Sequence, residues 1–183
     1  MVSATHEIAA ANHQFAATPN RRTAWQIAAE VPDPELPLVT LADLGILRDV
    51  HQDGTSVTVT ITPTYSGCPA MREISQDLRH RLQRAGFAEV MVRTELSPPW
   101  SSDWITDEGR AKLAAAGIAP PHHAPQRSTG PVPLNLLPRV LAVACPRCSS
   151  TATTRTAQFS GTACKALYRC RDCREPFEYV KEI

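Results

Sequence analysis

Two Cys-x-x-Cys pairs near the end of the chain constrain its fold more than any other feature. Cys145 and Cys148 form the first pair, Cys170 and Cys173 form the second, and 21 residues separate the pairs. Each such turn brings two thiolates together, and two turns supply the four sulfur ligands that a tetrahedral zinc ion prefers. The sequence therefore predicts one zinc ion held by these four cysteines.

The segment around the cysteines has little material for a core. Predicted strands from Thr151 to Phe159 and from Lys165 to Arg169 join the two turns into a ribbon. Its candidate core residues are Leu141, Val143, Phe159, Leu167, Tyr168, Phe177 and Tyr179. A bound metal is therefore expected to contribute on the order of 10 kcal/mol to the folding of this ribbon. The alternatives are a single iron ion on the same sulfurs, a redox-active disulfide pair, and buried thiols with no metal.

Charge argues against a nucleic-acid function for the ribbon. Residues 140–183 carry seven Lys and Arg against four Asp and Glu, and four thiolates with one Zn²⁺ reduce this +3 to about +1. The whole chain has 19 basic and 18 acidic residues. Cys164 is a fifth thiol within the ribbon, and it is interpreted either as a small buried residue or as a labile extra ligand.

The rest of the chain divides by composition. Residues 1–20 lack a sustained apolar period and are predicted to form a flexible tail, and residues 120–138 are predicted to be a proline-rich linker. These segments bound an α/β domain at 21–119 and leave the zinc ribbon at 139–183. No apolar run reaches the roughly 18 residues that span a bilayer, and no secretion signal precedes the domain, so a cytoplasmic protein without membrane contact is expected.

The predicted first domain mixes helices with a small sheet, which makes the fold class α+β. The elements are a helix capped by Thr23, a hairpin turning at Asp53-Gly54, a helix from Pro69 to Arg84, a strand from Glu89 to Leu96, and a helix from Thr106 to Gly117.

Cys68 lies where a strand passes through a loop into the second helix. If Pro69 takes the first helical position, Cys68 becomes the N-cap, and the positive helix end lowers the pKa of its thiol. Such a thiolate can ligate a soft metal, although a small residue that fits the corner is an equal interpretation. No histidine stands in a catalytic motif, and neither a phosphate loop nor a nucleophile elbow is present.

Three segments of the first domain resemble the small domain shared by iron-sulfur cluster assembly factors: Asp33–Pro37, Asp43–Val50 and Thr62–Pro69. This resemblance implies functional roles for Asp43, Thr64 and Cys68, with Cys68 as the thiol that handles iron or an iron-sulfur cluster. One thiol cannot hold a cluster alone, so a homodimer or a partner's ligands would complete it.

Further segments resemble the phenylacetate-degradation proteins of the PaaD (PaaJ) family: Pro98–Thr106, Gly117–Pro121, Cys145–Cys148, Thr162–Cys170 and Glu175–Tyr179. The resemblance implies a non-catalytic component of the multicomponent phenylacetyl-CoA epoxidase that helps to mature its iron centre. The implied partners are the di-iron catalytic subunit and the reductase that carries a 2Fe-2S cluster. Where such ribbons often have glycine, Ser149 follows Cys148, which predicts a tighter first turn.

Three other functions compete with this one. A structural subunit of the oxygenase complex would need no metal transfer. A nucleic-acid-binding ribbon is disfavoured by its charge, and a stand-alone enzyme is disfavoured because no assembled acid, base and nucleophile can be named.

Overall fold

The computed structural model describes residues 22–122 and 142–182. The tail predicted at 1–20 and most of the linker predicted at 120–138 lie outside the described residues, as does Leu141. The described ranges contain three α-helices, seven strands and a 3-10 turn at Ser102–Trp104. The helices are α1 Ala24–Ala29, α2 Met71–Arg84 and α3 Asp107–Ala115. The strands are β1 Leu47–Asp53, β2 Ser56–Ile61, β3 Glu89–Thr94, β4 Ile118–Ala119, β5 Thr153–Ala157, β6 Lys165–Cys170 and β7 Pro176–Val180. Within these ranges no helix has the length and apolar character needed to cross a bilayer.

The first sheet has the order β1-β2-β3. Strands β1 and β2 form the predicted antiparallel hairpin, and Gly54 at its turn has a φ of 57°, a left-handed conformation that glycine adopts without strain. Strand β3 then pairs in parallel with β2, and α2 makes the crossover between them. Because every second residue of β2 is buried, one face of this sheet packs against the core.

The helices begin as the sequence predicts at two of three places. Thr23 caps α1 and forms a reciprocal capping box with Gln26, and Thr106 caps α3 by accepting a hydrogen bond from the Gly109 N–H. Helix α2 covers the sheet through three buried side chains, Ile74, Leu78 and Leu82. Burial of these side chains stabilises the layer by several kcal/mol, at about 1.5–3 kcal/mol each.

The ribbon forms a second sheet with the order β4-β7-β6-β5. The sequence also predicts a strand over Arg139–Ala144, but the described part of that range, residues 142–144, forms none. The edge of the sheet is taken by β4, which pairs in parallel with β7. Phe159 is also not a core residue, because it is 57% exposed and lies beneath the Lys181 ammonium.

The two sheets meet through the end of β7. Val180 is buried in the core that otherwise consists of first-domain residues, while Ala119 is buried with the ribbon residues. Tyr168, Phe177 and Tyr179 form the aromatic centre of the ribbon, where Tyr168 lies 5.8 Å from Phe177 and 5.5 Å from Tyr179 between ring centroids. Each unit therefore contributes one apolar residue to the core of the other.

Candidate metal sites

The four cysteines of the two Cys-x-x-Cys turns converge. Their sulfur atoms all lie within 4.8 Å of one another, and among the described residues they form the only group of three or more such ligand atoms at this spacing. The Sγ atoms of Cys145 and Cys173 are 3.7 Å apart, and those of Cys148 and Cys170 are 3.6 Å apart. A tetrahedron with about 2.3 Å metal–sulfur bonds has edges of about 3.8 Å. The donor set therefore fits one tetrahedral ion.

Similar backbone turns hold the two pairs. The Cys145 N–H donates to the carbonyl of Ser150, and the Cys170 N–H donates to the carbonyl of Glu175, five residues further on in each case. Ser149 and Arg174 directly follow the second cysteine of each pair, and both are left-handed, with φ of 61° and 65°. The two turns therefore share a left-handed residue after the second cysteine and a closing backbone hydrogen bond.

Electrostatics within the cluster favour a cation. The backbone N–H groups of Cys173 and Asp172 lower the pKa of the Cys170 thiol to about 7. At Cys173 the N–H of Glu175 is opposed by burial and by neighbouring sulfurs, and the net direction of its pKa is upward. Because several thiolates this close repel one another, a divalent cation among them is the arrangement that stabilises their charged forms. These four cysteines have the donor set and the spacing of a zinc-ribbon metal site.

Cys68 is placed differently from the prediction. Helix α2 begins at Met71 with Ala70 as its N-cap, so Cys68 lies two residues before the cap. The prediction of a capping cysteine with a lowered pKa is wrong, because Pro69 and Ala70 form a turn ahead of the helix. Burial raises the pKa of the half-buried Cys68 thiol, and the hydrogen bond from the Ala70 N–H offsets this only in part.

Cys68 and Thr64 line one small cavity between the first domain and the ribbon. Its volume is about 30 Å³, and its wall also includes Asp33, Glu35 and Cys164. The remaining wall is mostly apolar, with Leu36, Leu44, Ile46, Trp100, Ile105 and Val180. The structure therefore brings two of the three predicted first-domain site residues together.

Asp43 does not line this cavity. Its carboxylate accepts hydrogen bonds of 2.9 Å from the Thr40 N–H and from the Lys112 ammonium, and its carbonyl accepts from the Thr106 N–H. Burial acts to raise the pKa of Asp43, but the Lys112 and Thr40 hydrogen bonds outweigh it and the pKa is lowered. In this geometry Asp43 ties the loop before β1 to the start of α3.

Sequence reasoning misses the cavity residues that lie far from Cys68 in the chain. Cys164 is 96 positions away, and no spacing rule connects it to Cys68. Asp33 and Glu35 belong to residues 32–37, a loop with three prolines, whose only functional signal in the sequence is the family resemblance. Their charges and the Cys164 thiolate all act to raise the pKa of Cys68, which shows that the four groups share one electrostatic environment.

Comparisons with known proteins match the two parts separately. Residues 25–92 match the family described as "Iron-sulfur cluster assembly protein", and residues 130–181 match the "PaaD zinc beta ribbon domain". The fold is a mixed α/β domain of the iron-sulfur assembly type followed by a zinc ribbon, as the sequence predicted. Among solved structures, the "Domain of Unknown Function DUF59" from Bacillus anthracis is 29% identical, and the match covers 49% of this chain and 86% of that one with a TM-score of 0.43.

Two curated relatives differ in how much they cover. The "Fe-S protein maturation auxiliary factor" of Porphyromonas gingivalis (strain ATCC BAA-308 / W83) is 37% identical over 86 residues, which is 45% of this chain and 80% of the relative. A protein of Escherichia coli (strain K12), described as a putative subunit of 1,2-phenylacetyl-CoA epoxidase, is 42% identical over 168 residues, 91% of this chain and 96% of the relative. Since that match covers nearly the whole of both chains, and the ribbon matches the PaaD zinc ribbon, the chain belongs to the PaaD family.

Proposed function

We propose that this protein is a non-catalytic accessory subunit of a phenylacetyl-CoA epoxidase that helps to assemble the enzyme's iron or iron-sulfur centre. Cys68 is the thiol that holds the iron in transit, Thr64 lies beside it, and Asp43 positions the surrounding loop. A structural zinc ion on the four ribbon cysteines stabilises the part that docks onto the epoxidase. Residues 21–119 and 139–183 serve as the two working domains.

The main support for this proposal is that the chain is similar to two kinds of protein, iron-sulfur assembly factors and an epoxidase subunit. The part that contains Cys68 matches an iron-sulfur assembly family and is similar to an Fe-S maturation factor. The whole chain is similar to a protein that is described as an epoxidase subunit. A protein that delivers iron to one particular client needs a domain that handles the iron and a part that recognises the client. This chain joins an assembly-type domain to a ribbon that can take the second role.

The partners follow from the same argument. A 2Fe-2S reductase or a di-iron catalytic subunit of the epoxidase would accept the metal. Because Cys68 is one thiol in its loop, a cluster in transit requires further ligands from the client, from a second copy of the chain, or from elsewhere in the fold.

The test is complementation in cells that lack the native gene. With Cys68→Ala, we expect the purified epoxidase to contain several-fold less iron and to lose activity in the same proportion. Iron content by mass spectrometry and turnover of phenylacetyl-CoA are the two readouts. Ser66→Ala is the matched control, since Ser66 lies exposed in the same loop, and it should leave both readouts unchanged.

Full iron loading and activity with Cys68→Ala would contradict the proposal. If the protein also co-purified at fixed stoichiometry with the epoxidase, that result would establish a structural subunit instead.

A further inference from the structure

The cavity between the first domain and the ribbon contains two thiols from distant parts of the chain. Cys68 comes from the loop before α2, and Cys164 is the residue before β6. The ribbon fixes Cys164 through its backbone, because the Lys181 N–H donates to the Cys164 carbonyl at 2.9 Å. Lys181 directly follows Val180, which is buried in the first-domain core. Packing of the ribbon against the first domain thus places Cys164 beside the cavity.

Acidic groups surround these thiols. Burial raises the pKa of Cys164, the hydrogen bond between its thiol and the Thr162 hydroxyl lowers it, and the charge of Glu35 raises it again. Burial and the charge of Asp33 raise the pKa of Glu35. Groups that raise one another's pKa in a part-buried site are stabilised together by a cation.

The size of the cavity limits what it can hold. Its volume of about 30 Å³ leaves room for a single metal ion together with one or two water molecules.

The ligand set is incomplete in the fold. Among the described residues, the two thiols belong to no group of three His, Cys, Asp or Glu ligand atoms that all lie within 4.8 Å of one another. The two hydrogen bonds that Asp33 accepts, from the N–H groups of Glu35 and Leu36, both go to its Oδ1 and fix its carboxylate in the loop. Glu35 lines the same cavity and is half-buried, so its carboxylate is the freer of the two to turn towards the ion. An ion with only two or three protein ligands keeps open positions for water or for an acceptor's ligands.

We propose that Cys68 and Cys164 together bind a single iron(II) ion in this cavity, with Glu35 as the third ligand. The ribbon then supplies a ligand as well as a docking surface. Binding converts both thiols to thiolates and releases their two protons to solvent. This inference rests on the proposed function, because it completes the site that Cys68 begins.

The experiment uses the full chain, purified without oxygen and with one zinc ion per chain. Co²⁺ serves as the spectroscopic probe and Fe²⁺ as the competitor, and zinc content is measured again after each titration. Cys68→Ser and Cys164→Ser should each weaken Co²⁺ binding by more than the about 100-fold loss that outer-shell substitutions reach. The double variant should bind at least as weakly as either single variant. Gln158→Ala, exposed in the ribbon, is the control and should bind like the wild type.

The possible results separate this inference from the proposed function. If only Cys68→Ser weakens binding, the two-thiol site is wrong and the role of Cys68 stands. If neither variant weakens binding, both proposals fail. Retained zinc in each variant reports that the ribbon is folded.

A second measurement needs no variant. Fe²⁺ should protect both Cys68 and Cys164 of the wild-type protein from alkylation, as read by mass spectrometry of the two peptides. Unchanged alkylation of Cys164 at saturating Fe²⁺ would overturn the proposal.

Discussion

The ribbon cluster and the Cys68 cavity are two sulfur sites built on opposite plans. In the ribbon, four sulfurs lie at tetrahedral spacing and two similar backbone turns fix them. At the cavity, Cys68 and Cys164 come from separate elements, and their pKa values are raised by burial above all. A complete and fixed ligand set favours permanent binding, whereas an incomplete one permits release. The protein thus combines one complete sulfur site, suited to a structural metal, with one incomplete site from which we propose that iron is transferred.

Loss of one of the four ribbon cysteines is expected to affect the protein most. Cys145→Ser should abolish stable zinc binding and unfold the ribbon, because structural zinc in small domains contributes about 10 kcal/mol or more. Zinc content and hydrogen exchange over β5 to β7 would measure this. Cys68→Ser is the counterpart and should leave both values unchanged. A Cys145→Ser protein that keeps one zinc at wild-type affinity would contradict the ligand assignment.

A smaller effect is expected at the loop that supports the cavity domain. A Cβ on Gly109 would lie 2.7 Å from the carbonyl oxygen of Asp43, in a buried contact. Gly109→Ala should therefore destabilise the first domain by about 1–3 kcal/mol, as overpacking does. Urea unfolding followed by tryptophan fluorescence reports on the first domain, which contains all three tryptophans of the chain. One of them, Trp100, donates to the carbonyl of Leu44 in the same loop.

The control for this substitution is Gly161→Ala. A Cβ there meets nothing within 4 Å, and the change should shift stability little. Equal stability of the two variants would show that the loop adjusts without cost.

The raised pKa of Cys68 predicts how its reactivity depends on pH. Since burial and the charge of Glu35 raise the pKa of Cys68, its thiolate should form only above the usual thiol range near pH 8.5. The midpoint of its alkylation rate against pH should therefore lie above that value in the metal-free cavity. Glu35→Gln removes one of the raising charges and should move the midpoint down. A midpoint below about 8.5 in the wild type would show that the helix end dominates after all.

The smallest effect concerns the two left-handed residues of the ribbon. Ser149→Gly and Arg174→Gly should each stabilise the zinc-bound ribbon by less than about 1 kcal/mol, since glycine relieves the left-handed strain but adds entropy to the unfolded chain. Thermal unfolding of the zinc-loaded protein would detect the gain. Destabilisation by either change would mean that the contacts of the Ser149 or Arg174 side chain stabilise the ribbon by more than the left-handed strain costs.

What the sequence can predict follows from how local each feature is. The ribbon ligands lie close together within each pair, and α2 shows its apolar period in one continuous segment, so both are predictable. The position of Cys68 differs from the prediction because one turn separates Pro69 from the helix, and turn geometry of that kind is not encoded in the spacing. No sequence pattern connects Cys164 to Cys68, because only the packing of the ribbon on the first domain brings them together.

Strand β4 escapes prediction for a similar reason. Two residues carry no periodic signal, and their role depends on pairing with β7, which lies far along the chain. Phe159 is an error of another kind. Its apolar side chain predicts a core residue, but the fold leaves it on the surface.

The short β4–β7 pair makes the two parts poor candidates for separation. A ribbon excised after Ala119 would leave the backbone of β7 exposed along one edge, and unpaired edges recruit strands from other molecules. The first domain would in turn lose Val180 and retain a hole in its apolar interior. Each part covers apolar or unpaired backbone surface of the other, so the isolated parts are expected to aggregate while the joined chain does not.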